Sequence, residues 1–525
     1  MQKFYPKVKL TFTLILTIFL SVKVVACSDR QPSNNSDLPT NTDTVVETIQ
    51  PQLTGEPRAL SPDFMCFNVN SIQVQSWTKP EFVNSVNNLS PATLRIPGGD
   101  VGNYWDWQRG GLIQDISSLP DGLPFFLRFK ARQYTASQLP NYKAGLEATE
   151  TKPIFVLNML TSNLQSQLKM LQTAKDLGMP VEYVELGNEF YFNIPNYKQV
   201  FPTPKEYALQ ASQWIAAVKQ QFPEAKISLV GVVPPPEKPD RLQNWNQTLL
   251  EAALPASEAI TIHIYNSHGL DAKAPASESY PFFNDAEVAT ILGEPFRNWQ
   301  KLQSDRNYKI IPPDKKIWIT EYNLFGDIFQ NGSNKPQPRV AGSWAHGLYN
   351  MAMSLLFLEE PRIELICNHS LIEGSIFGAV LANKNSFVNP INENEITEPF
   401  SLSATGSALS LLGEASKDMQ FASQIDLSGT TTLTGKDGFN YPALYGWMFS
   451  NSNKQGQSII MNLSDRQQEI DLSSLYNSTV EYQQVAGSPQ TLVTKSGVLK
   501  ETNGEATDKI MLPAYSVTKL SGKLP

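Results

Sequence analysis

The chain has 525 residues, of which 41% are hydrophobic and 10% aromatic, and its formal net charge is −8. This length exceeds that of a single small domain and suits a large barrel with an accessory domain. The negative charge argues against a nucleic-acid partner. The three cysteines form no Cys/His cluster with zinc-ligand spacing, so we expect neither a metal site nor another cofactor.

The N-terminus has the features of an export signal. Three lysines precede the apolar run 10–22, which is shorter than the ~20 residues of a membrane-spanning helix. The ending VVAC, at Cys27, resembles a bacterial lipobox, which implies a lipidated Cys27 and an exported lipoprotein on the cell envelope, in the outer membrane of a Gram-negative cell. An uncleaved anchor is the alternative. Residues 28–44 contain almost no apolar side chains and are expected to form a disordered tether.

Short apolar strands alternate with amphipathic helices between residues 63 and 416. This alternation is typical of parallel βαβ units. The eight strands are predicted at 64–69, 92–96, 154–157, 183–186, 227–232, 259–264, 316–321 and 363–367.

From about residue 417 the pattern changes to short alternating strands separated by turn residues. Strands are predicted at 445–449, 458–462, 479–485 and 509–512, with turns at Asn451, Gly456 and Asn503-Gly504. The region 417–525 is therefore predicted to be a separate all-β domain.

Two of the barrel strands end in a glutamate flanked by aromatic residues. Glu189 lies in YVELGNEFYF and Glu321 in KIWITEYN. Enzymes of the α/β class place their chemistry at this end of the strands. A single glutamate at a strand end is usually a solvated rim residue. Glycoside hydrolysis with retention of configuration requires at least two carboxylates, so the hypothesis of a glycosidase rests on the pair.

Four motifs occur in order along the chain: RIPGG, LGNE, HIY and TEY. Together they resemble the motifs of clan A glycoside hydrolases, in particular the family 51 α-L-arabinofuranosidases, the family 79 heparanase-like enzymes and family 39. The resemblance implies an α/β fold, a (β/α)8 TIM barrel over 63–416, with the glutamates on strands four and seven. It also implies a C-terminal β-sandwich over 417–525, because LPAYSVTKL resembles its closing strand, and a strand from 45–62 that joins this sandwich.

The resemblance also implies roles for single residues. Glu189 is the general acid and base, and Glu321 is the nucleophile. The other implied roles are support of the nucleophile by Arg95, a hydrogen bond from Tyr265 to Glu321, a sugar subsite at His263 and a contact of Asn188 with the sugar 2-hydroxyl.

Five further residues are candidates for sugar contacts: Trp105, Trp107, Asn158, Tyr322 and His369. The two tryptophans could form a stacking platform, although a tryptophan in a loop is as often simply packed. Many clan A enzymes carry a tryptophan after strand eight, where this chain has Asn368-His369.

Three side chains inside the predicted barrel need partners or face one another. Cys66 and Cys367, on the neighbouring strands one and eight, could form a disulfide, but we favour two buried thiols. Glu185 is expected to face the barrel interior, where a carboxylate requires a partner such as Arg95 or a tyrosine.

The predicted function is retaining hydrolysis of a plant, algal or microbial polysaccharide or oligosaccharide, with α-L-arabinofuranosidase-like activity. A β-glucuronidase or heparanase-like enzyme and a β-xylosidase-like enzyme are alternatives with the same mechanism. A non-catalytic glycan-binding surface lipoprotein is the alternative of another class. The sequence does not name the sugar, distinguish internal from terminal cleavage, or give an oligomeric state.

Overall fold

The computed structural model describes residues 48–69, 77–124, 127, 137–233, 244–270, 281, 283–324, 340–372, 377–382 and 396–525. The predicted signal, the lipidation site at Cys27 and the tether lie outside these residues. Among the described helices, none combines the length and the apolar character that a membrane span requires. The barrel and the sheet domain below belong to one compact unit, residues 46–525.

Eight parallel strands close into a barrel. They are β2 (Met65–Asn68), β3 (Thr93–Ile96), β6 (Lys152–Val156), β7 (Tyr183–Glu185), β8 (Lys226–Val230), β9 (Ala259–Asn266), β10 (Lys316–Leu324) and β11 (Ile363–Asn368). The strand β1 (Gln52–Ala59) precedes the barrel, and a hairpin of β4 (Trp105–Asp106) and β5 (Gly111–Leu112) follows β3. The closing pair is β11 with β2.

The described helices flank these strands. They are α1 (Pro80–Leu89), α2 (Leu139–Ala148), α3 (Leu164–Asp176), α4 (Pro195–Val200), α5 (Pro204–Gln221), α6 (Trp245–Ala252), α7 (Asp285–Ser304), α8 (Arg306–Lys309), α9 (Trp344–Phe357) and α10 (Ala404–Ser416). The longer helices α5 and α7 begin with capping boxes, at Thr203 with Glu206 and at Asn284 with Glu287. These boxes satisfy backbone N–H groups that a helix start leaves without partners.

The C-terminal domain is antiparallel. Its strands are β12 (Phe421–Asp426), β13 (Thr432–Thr434), β14 (Asn440–Pro442), β15 (Leu444–Ser450), β16 (Gln455–Asn462), β17 (Gln468–Asp471), β18 (Val480–Ala486), β19 (Lys500–Ala506), β20 (Lys509–Leu512) and β21 (Ser516–Lys523). The main sheet has the order β1-β12-β15-β16-β21-β18-β19, so β1 lies at its edge. The pair β17–β20 shares a buried apolar core with this sheet. The predicted fold class, a TIM barrel with a C-terminal β-sandwich, is confirmed.

A disulfide joins Cys66 and Cys367 across the closing strands of the barrel. Our preference for two free thiols is wrong. The two residues are opposite each other on β2 and β11, and both are buried in the barrel interior with Tyr183 and Trp318. Their side chains therefore point to the same side, which is the condition for a bridge.

Candidate active site

The two predicted catalytic glutamates lie at the same end of the barrel. Glu189 follows β7, Glu321 lies on β10, and their exposed fractions are only 9% and 4%. One oxygen of each carboxylate and a ring nitrogen of His263 all lie within 4.8 Å of one another. Two buried carboxylates at this distance repel each other when both are charged, so the groups around them matter.

The local sequence explains how Glu189 reaches this position. Gly187 has φ +89°, and a Cβ there would lie 2.0 Å from the ring of Phe190, so only glycine fits. Glu189 itself has φ +49°, in the left-handed region that side chains other than glycine rarely adopt. The N–H of Phe192 then donates to the carbonyl of Glu189 at 3.1 Å and closes the turn.

His263 lies between the two carboxylates. Its Nδ1 is 2.8 Å from Glu189 Oε1 and 3.7 Å from Glu321 Oε2, and its Nε2 is 3.0 Å from Thr320 Oγ1. Burial lowers the pKa of His263, but the charges of Glu321 and Glu189 outweigh it and raise the pKa above its ordinary value. The hydroxyl of Tyr191 donates to Glu189 Oε1 at 3.0 Å.

Glu321 is surrounded by donors and positive charge. Arg95 Nη1 donates to Oε1 at 2.7 Å, Tyr265 Oη donates to Oε2 at 2.5 Å, and His369 Nδ1 lies 3.5 Å from Oε2. Burial raises the pKa of Glu321, but the charges of His263, His369 and Arg95 and the Tyr265 hydrogen bond outweigh it and lower the pKa to about 2. Glu321 is therefore ionised at neutral pH.

Arg95 is fully buried, and its contacts account for all five N–H groups. Nε and Nη2 donate to Glu185 at 2.6 and 3.0 Å, and Nη2 also donates to Asn188 Oδ1 at 2.8 Å. Nη1 donates to Glu321 and to Asn68 Oδ1, the latter at 3.0 Å. Burial lowers the pKa of Arg95, but Glu185 and Glu321 outweigh it, so the pKa is raised. A lysine could not supply this planar set of donors.

The two glycines of RIPGG bring the end of β3 close to the nucleophile. A Cβ on Gly98 would lie 2.3 Å from the carbonyl oxygen of Val69, so this backbone approach requires glycine. A Cβ on Gly99 would lie 3.7 Å from Glu321 Oε1. A methyl group at Gly99 would therefore contact the nucleophile without a clash.

Most of the predicted residues meet in this site. The structure brings together Glu189, Glu321, Arg95, Asn188, His263, Tyr265 and His369. The expected contact between Tyr265 and Glu321 is present, and Glu185 has Arg95 as its partner.

Tyr322 is a correction, because it lies on the other side of β10. Its hydroxyl is 2.7 Å from Ser354 Oγ on α9, and its ring packs edge-on against Phe357. The register of β10 against β9 shifts between Ile319 and Glu321. This irregularity turns Glu321 towards the interior beside Thr320, and Tyr322 is consequently turned outwards.

Asn158 is a second correction. Its side chain is buried and donates to the carbonyl of Trp105 at 3.1 Å and to Thr161 Oγ1 at 2.8 Å. Its Oδ1 accepts the backbone N–H groups of Leu160 and Thr161. These contacts hold the buried side chain in a turn.

The tryptophans are packed to different extents. Trp105 is 4% exposed and contacts Tyr142 edge to face, so its ring offers no stacking surface. Of the two roles considered for Trp105, a stacking platform or simple packing, the structure shows packing. Trp107 is half-buried, and its indole N–H donates to Ser166 Oγ at 3.1 Å.

Three side chains that contact Glu321, Glu189 or His263 directly were missed in the sequence. Asn68 Nδ2 lies 2.5 Å from His369 Nδ1 and 3.5 Å from Glu321 Oε1, while Tyr191 and Thr320 hold Glu189 and His263. Asn68 lies one residue before the end of the first predicted strand and ends the observed β2, so its position as a polar residue near a strand end was the available signal.

The Glu189, His263 and Glu321 atoms are also close enough to hold a metal ion. However, Glu321 Oε1 already accepts from the Arg95 guanidinium and Oε2 accepts from Tyr265. A metal cation there would be repelled by Arg95 and would displace these donors. The surroundings of the cluster fit a carboxylate pair better than a metal centre.

No protein-family model matches the sequence, and no curated protein sequence matches it either. The fold, in contrast, is shared with solved glycosidases. A family 51 α-L-arabinofuranosidase from Bifidobacterium longum has 13% identity, with 91% of this chain and 100% of that chain covered, and a TM-score of 0.66. An α-L-arabinofuranosidase from Thermotoga maritima in its arabinose complex has 14% identity and a TM-score of 0.61, with 91% of this chain and 100% of that chain covered. A 4-O-α-L-rhamnosyl-β-D-glucuronidase from Fusarium oxysporum has 13% identity and a TM-score of 0.54, with 90% of this chain and 99% of that chain covered.

Proposed function

We propose that the protein is a retaining glycoside hydrolase with α-L-arabinofuranosidase-like activity. The observation that carries the proposal is the buried pair Glu189 and Glu321, with one oxygen of each within 4.8 Å. Retaining enzymes have carboxyl groups about 5–5.5 Å apart, whereas inverting enzymes have them about 6.5–9.5 Å apart. The similar architecture of the solved glycosidases supports the same activity.

The surroundings of the two carboxylates assign their roles. Glu321, held ionised by Arg95 and Tyr265, attacks the anomeric carbon while the bond to the leaving oxygen breaks. Glu189 gives its proton to that oxygen and then takes a proton from the water that releases the sugar. His263 lies 2.8 Å from Glu189 and 3.7 Å from Glu321, and these contacts hold the two carboxylates side by side.

The choice of sugar rests on charge as well as on architecture. A uronic acid substrate would need a cationic group that is available to bind its carboxylate. The contacts of Arg95 with Glu185, Glu321, Asn68 and Asn188 account for all of its donors. Within the part of the site that the structure describes, Arg95 is thus not available to bind a uronic carboxylate, which favours a neutral sugar over the glucuronidase alternative. We propose a plant, algal or microbial arabinose-containing glycan as the substrate.

We also propose that the mature protein is a lipoprotein anchored to the cell envelope through Cys27. The proposal rests on the basic N-terminus, the apolar run 10–22 and the VVAC ending. Mass spectrometry of the protein expressed in a bacterial host should detect an acylated N-terminal Cys27. An unprocessed N-terminus would contradict it.

The function is tested with the soluble chain 28–525 on aryl glycosides of arabinofuranose, xylose, glucuronic acid, glucose, galactose and fucose. We expect release from the α-L-arabinofuranoside, an initial product of retained configuration by NMR, and loss of release in Glu321→Ala. Release by Glu321→Ala would refute the assigned nucleophile, and an inverted first product would refute retention. Binding on a glycan array without turnover of any glycoside would favour the non-catalytic alternative.

A further inference from the structure

A buried asparagine outside the predicted motifs holds the chain that carries Glu189. Asn103 is fully buried, in the short helical turn Gly99–Tyr104 that follows RIPGG. Its Nδ2 donates to the carbonyl oxygen of Asn188 at 2.7 Å, and its Oδ1 accepts the N–H of Asn188 at 3.1 Å. One side chain thus satisfies both backbone groups of the residue before Glu189.

Neighbouring groups fix the orientation of this carboxamide. Asn103 Nδ2 also donates to Tyr197 Oη at 3.0 Å, and Tyr197 donates to Asp100 Oδ1 at 2.8 Å. The same Asp100 oxygen accepts from Asn188 Nδ2 at 3.1 Å, and Thr161 Oγ1 donates to the carbonyl of Asn103 at 2.9 Å. Exchanging the oxygen and nitrogen of Asn103 would break its bonds to Asn188, so the rotamer is specified.

This contact matters because the next residue is in an unfavourable conformation. The carbonyl of Asn188 belongs to the peptide plane that leads into Glu189, where φ is +49°. The left-handed region is unfavourable for residues other than glycine, so the surroundings must impose it. By holding that carbonyl, Asn103 fixes the peptide plane from which the Glu189 side chain starts.

We propose that Asn103 is a positioning residue for the acid and base Glu189, so that its loss impairs proton transfer to the leaving group. This inference rests on the proposed function. A displaced acid matters only when the leaving oxygen needs a proton, because an activated phenolate departs without one. The signature is therefore a rate loss that grows as the leaving group becomes more basic.

The test compares kcat/KM for α-L-arabinofuranosides, or for glycosides of the sugar that the aryl panel identifies, with four leaving groups: 2,4-dinitrophenol, 4-nitrophenol, phenol and methanol. In Asn103→Ala both bonds to Asn188 are lost. In Asn103→Asp the shape and the acceptor for the Asn188 N–H remain, but the donor to its carbonyl is lost. We expect kcat/KM for the phenyl and methyl glycosides to fall about 10- to 100-fold, as for a catalytic group displaced by about 1 Å. The dinitrophenyl substrate should lose less than about threefold.

The matched control is Asn246→Ala. Asn246 is also fully buried, and it makes the same paired contact with Val232, accepting from its N–H at 2.9 Å and donating to its carbonyl at 3.0 Å. It should lower thermal stability without changing the dependence on the leaving group. A similar loss for all four substrates in both folded Asn103 variants, or the same dependence in Asn246→Ala, would overturn the inference. Lack of turnover by the wild type would overturn the proposed function and this inference with it.

Discussion

Arg95 binds Glu185 through two N–H···O bonds, from Nε to Oε2 at 2.6 Å and from Nη2 to Oε1 at 3.0 Å. Both side chains are fully buried, and Nη1 of the same guanidinium reaches Glu321 at 2.7 Å. The bidentate pair therefore fixes the plane of the group that faces the nucleophile. The negative charge of Glu185 also offsets the positive charge of Arg95 in an environment that water does not reach.

We expect Glu185→Gln to lower the free energy of unfolding by about 3–5 kcal/mol, because it leaves a buried guanidinium without one of its counter-charges. Denaturant unfolding monitored by tryptophan fluorescence measures this change. The control is Glu182→Gln, because Glu182 bonds Lys152 at 3.0 Å but its side chain is 32% exposed. That pair should contribute less than about 1 kcal/mol. Equal losses in the two variants would contradict the prediction.

Removing the hydroxyl of Tyr265 should shift the pH dependence of activity. Its hydrogen bond to Glu321 stabilises the ionised carboxylate, which is one reason why the pKa of Glu321 lies near 2. In Tyr265→Phe this pKa rises, so the acid limb of the kcat/KM profile moves to higher pH. We also expect kcat/KM at neutral pH to fall about tenfold.

The control for this shift is Tyr322→Phe. That hydroxyl contacts Ser354 on the outer side of the same strand, so its removal should leave the acid limb in place. An unchanged acid limb in Tyr265→Phe would show that the profile does not report Glu321.

The adjacent glycines of RIPGG should respond differently to the same substitution. In Gly98→Ala the new methyl would lie 2.3 Å from a backbone oxygen, at φ +79°, so we expect a loss of about 3 kcal/mol or more in stability. In Gly99→Ala the nearest atoms are 3.7–3.8 Å from the new methyl, so there is no clash. The loss of stability should be about 1 kcal/mol, because alanine disfavours the left-handed backbone conformation of this position.

Activity separates the two glycines further. The Gly99→Ala methyl occupies space beside Glu321, and we expect kcat/KM to fall at least about tenfold in a folded protein. Melting curves and kinetics on the preferred aryl glycoside measure both effects. Full activity in Gly99→Ala would show that the sugar does not use this space.

The disulfide predicts the thiol content of the chain 28–525, whose two cysteines are Cys66 and Cys367. Thiol titration in denaturant should find no free thiol before reduction and two afterwards. The double variant Cys66→Ala/Cys367→Ala should be about 2–4 kcal/mol less stable than the oxidised wild type. Two titratable thiols in the unreduced protein would contradict the bond.

The strand ends were predictable because parallel strands place their carboxyl-terminal residues on one face of a barrel. Regular alternation, however, assumes that a strand has no irregularity. On β10 a register shift between Ile319 and Glu321 turns Glu321 inwards and Tyr322 outwards. A single sequence gives no signal for that shift, so it could not show that Tyr322, a candidate for a sugar contact, points away from the site.

Contacts between residues distant in the chain were harder to predict. Asn103 was passed over because its partner is backbone, and backbone partners leave no motif in the sequence. Cys66 and Cys367 were placed on neighbouring strands correctly, but their directions depend on the pleat at that level of the barrel. Asn68 showed the same strand-end position as the other site residues and could have been included.

The bond between Cys66 and Cys367 also makes a covalent ring of the intervening chain, with a sequence separation of 301 residues. The ring contains both proposed catalytic glutamates and the strands from β3 to β10. A protease that cuts one peptide bond inside the ring releases no fragment, because the two pieces remain joined through sulfur. A nicked chain therefore migrates as one species on a denaturing gel and separates into two only after reduction.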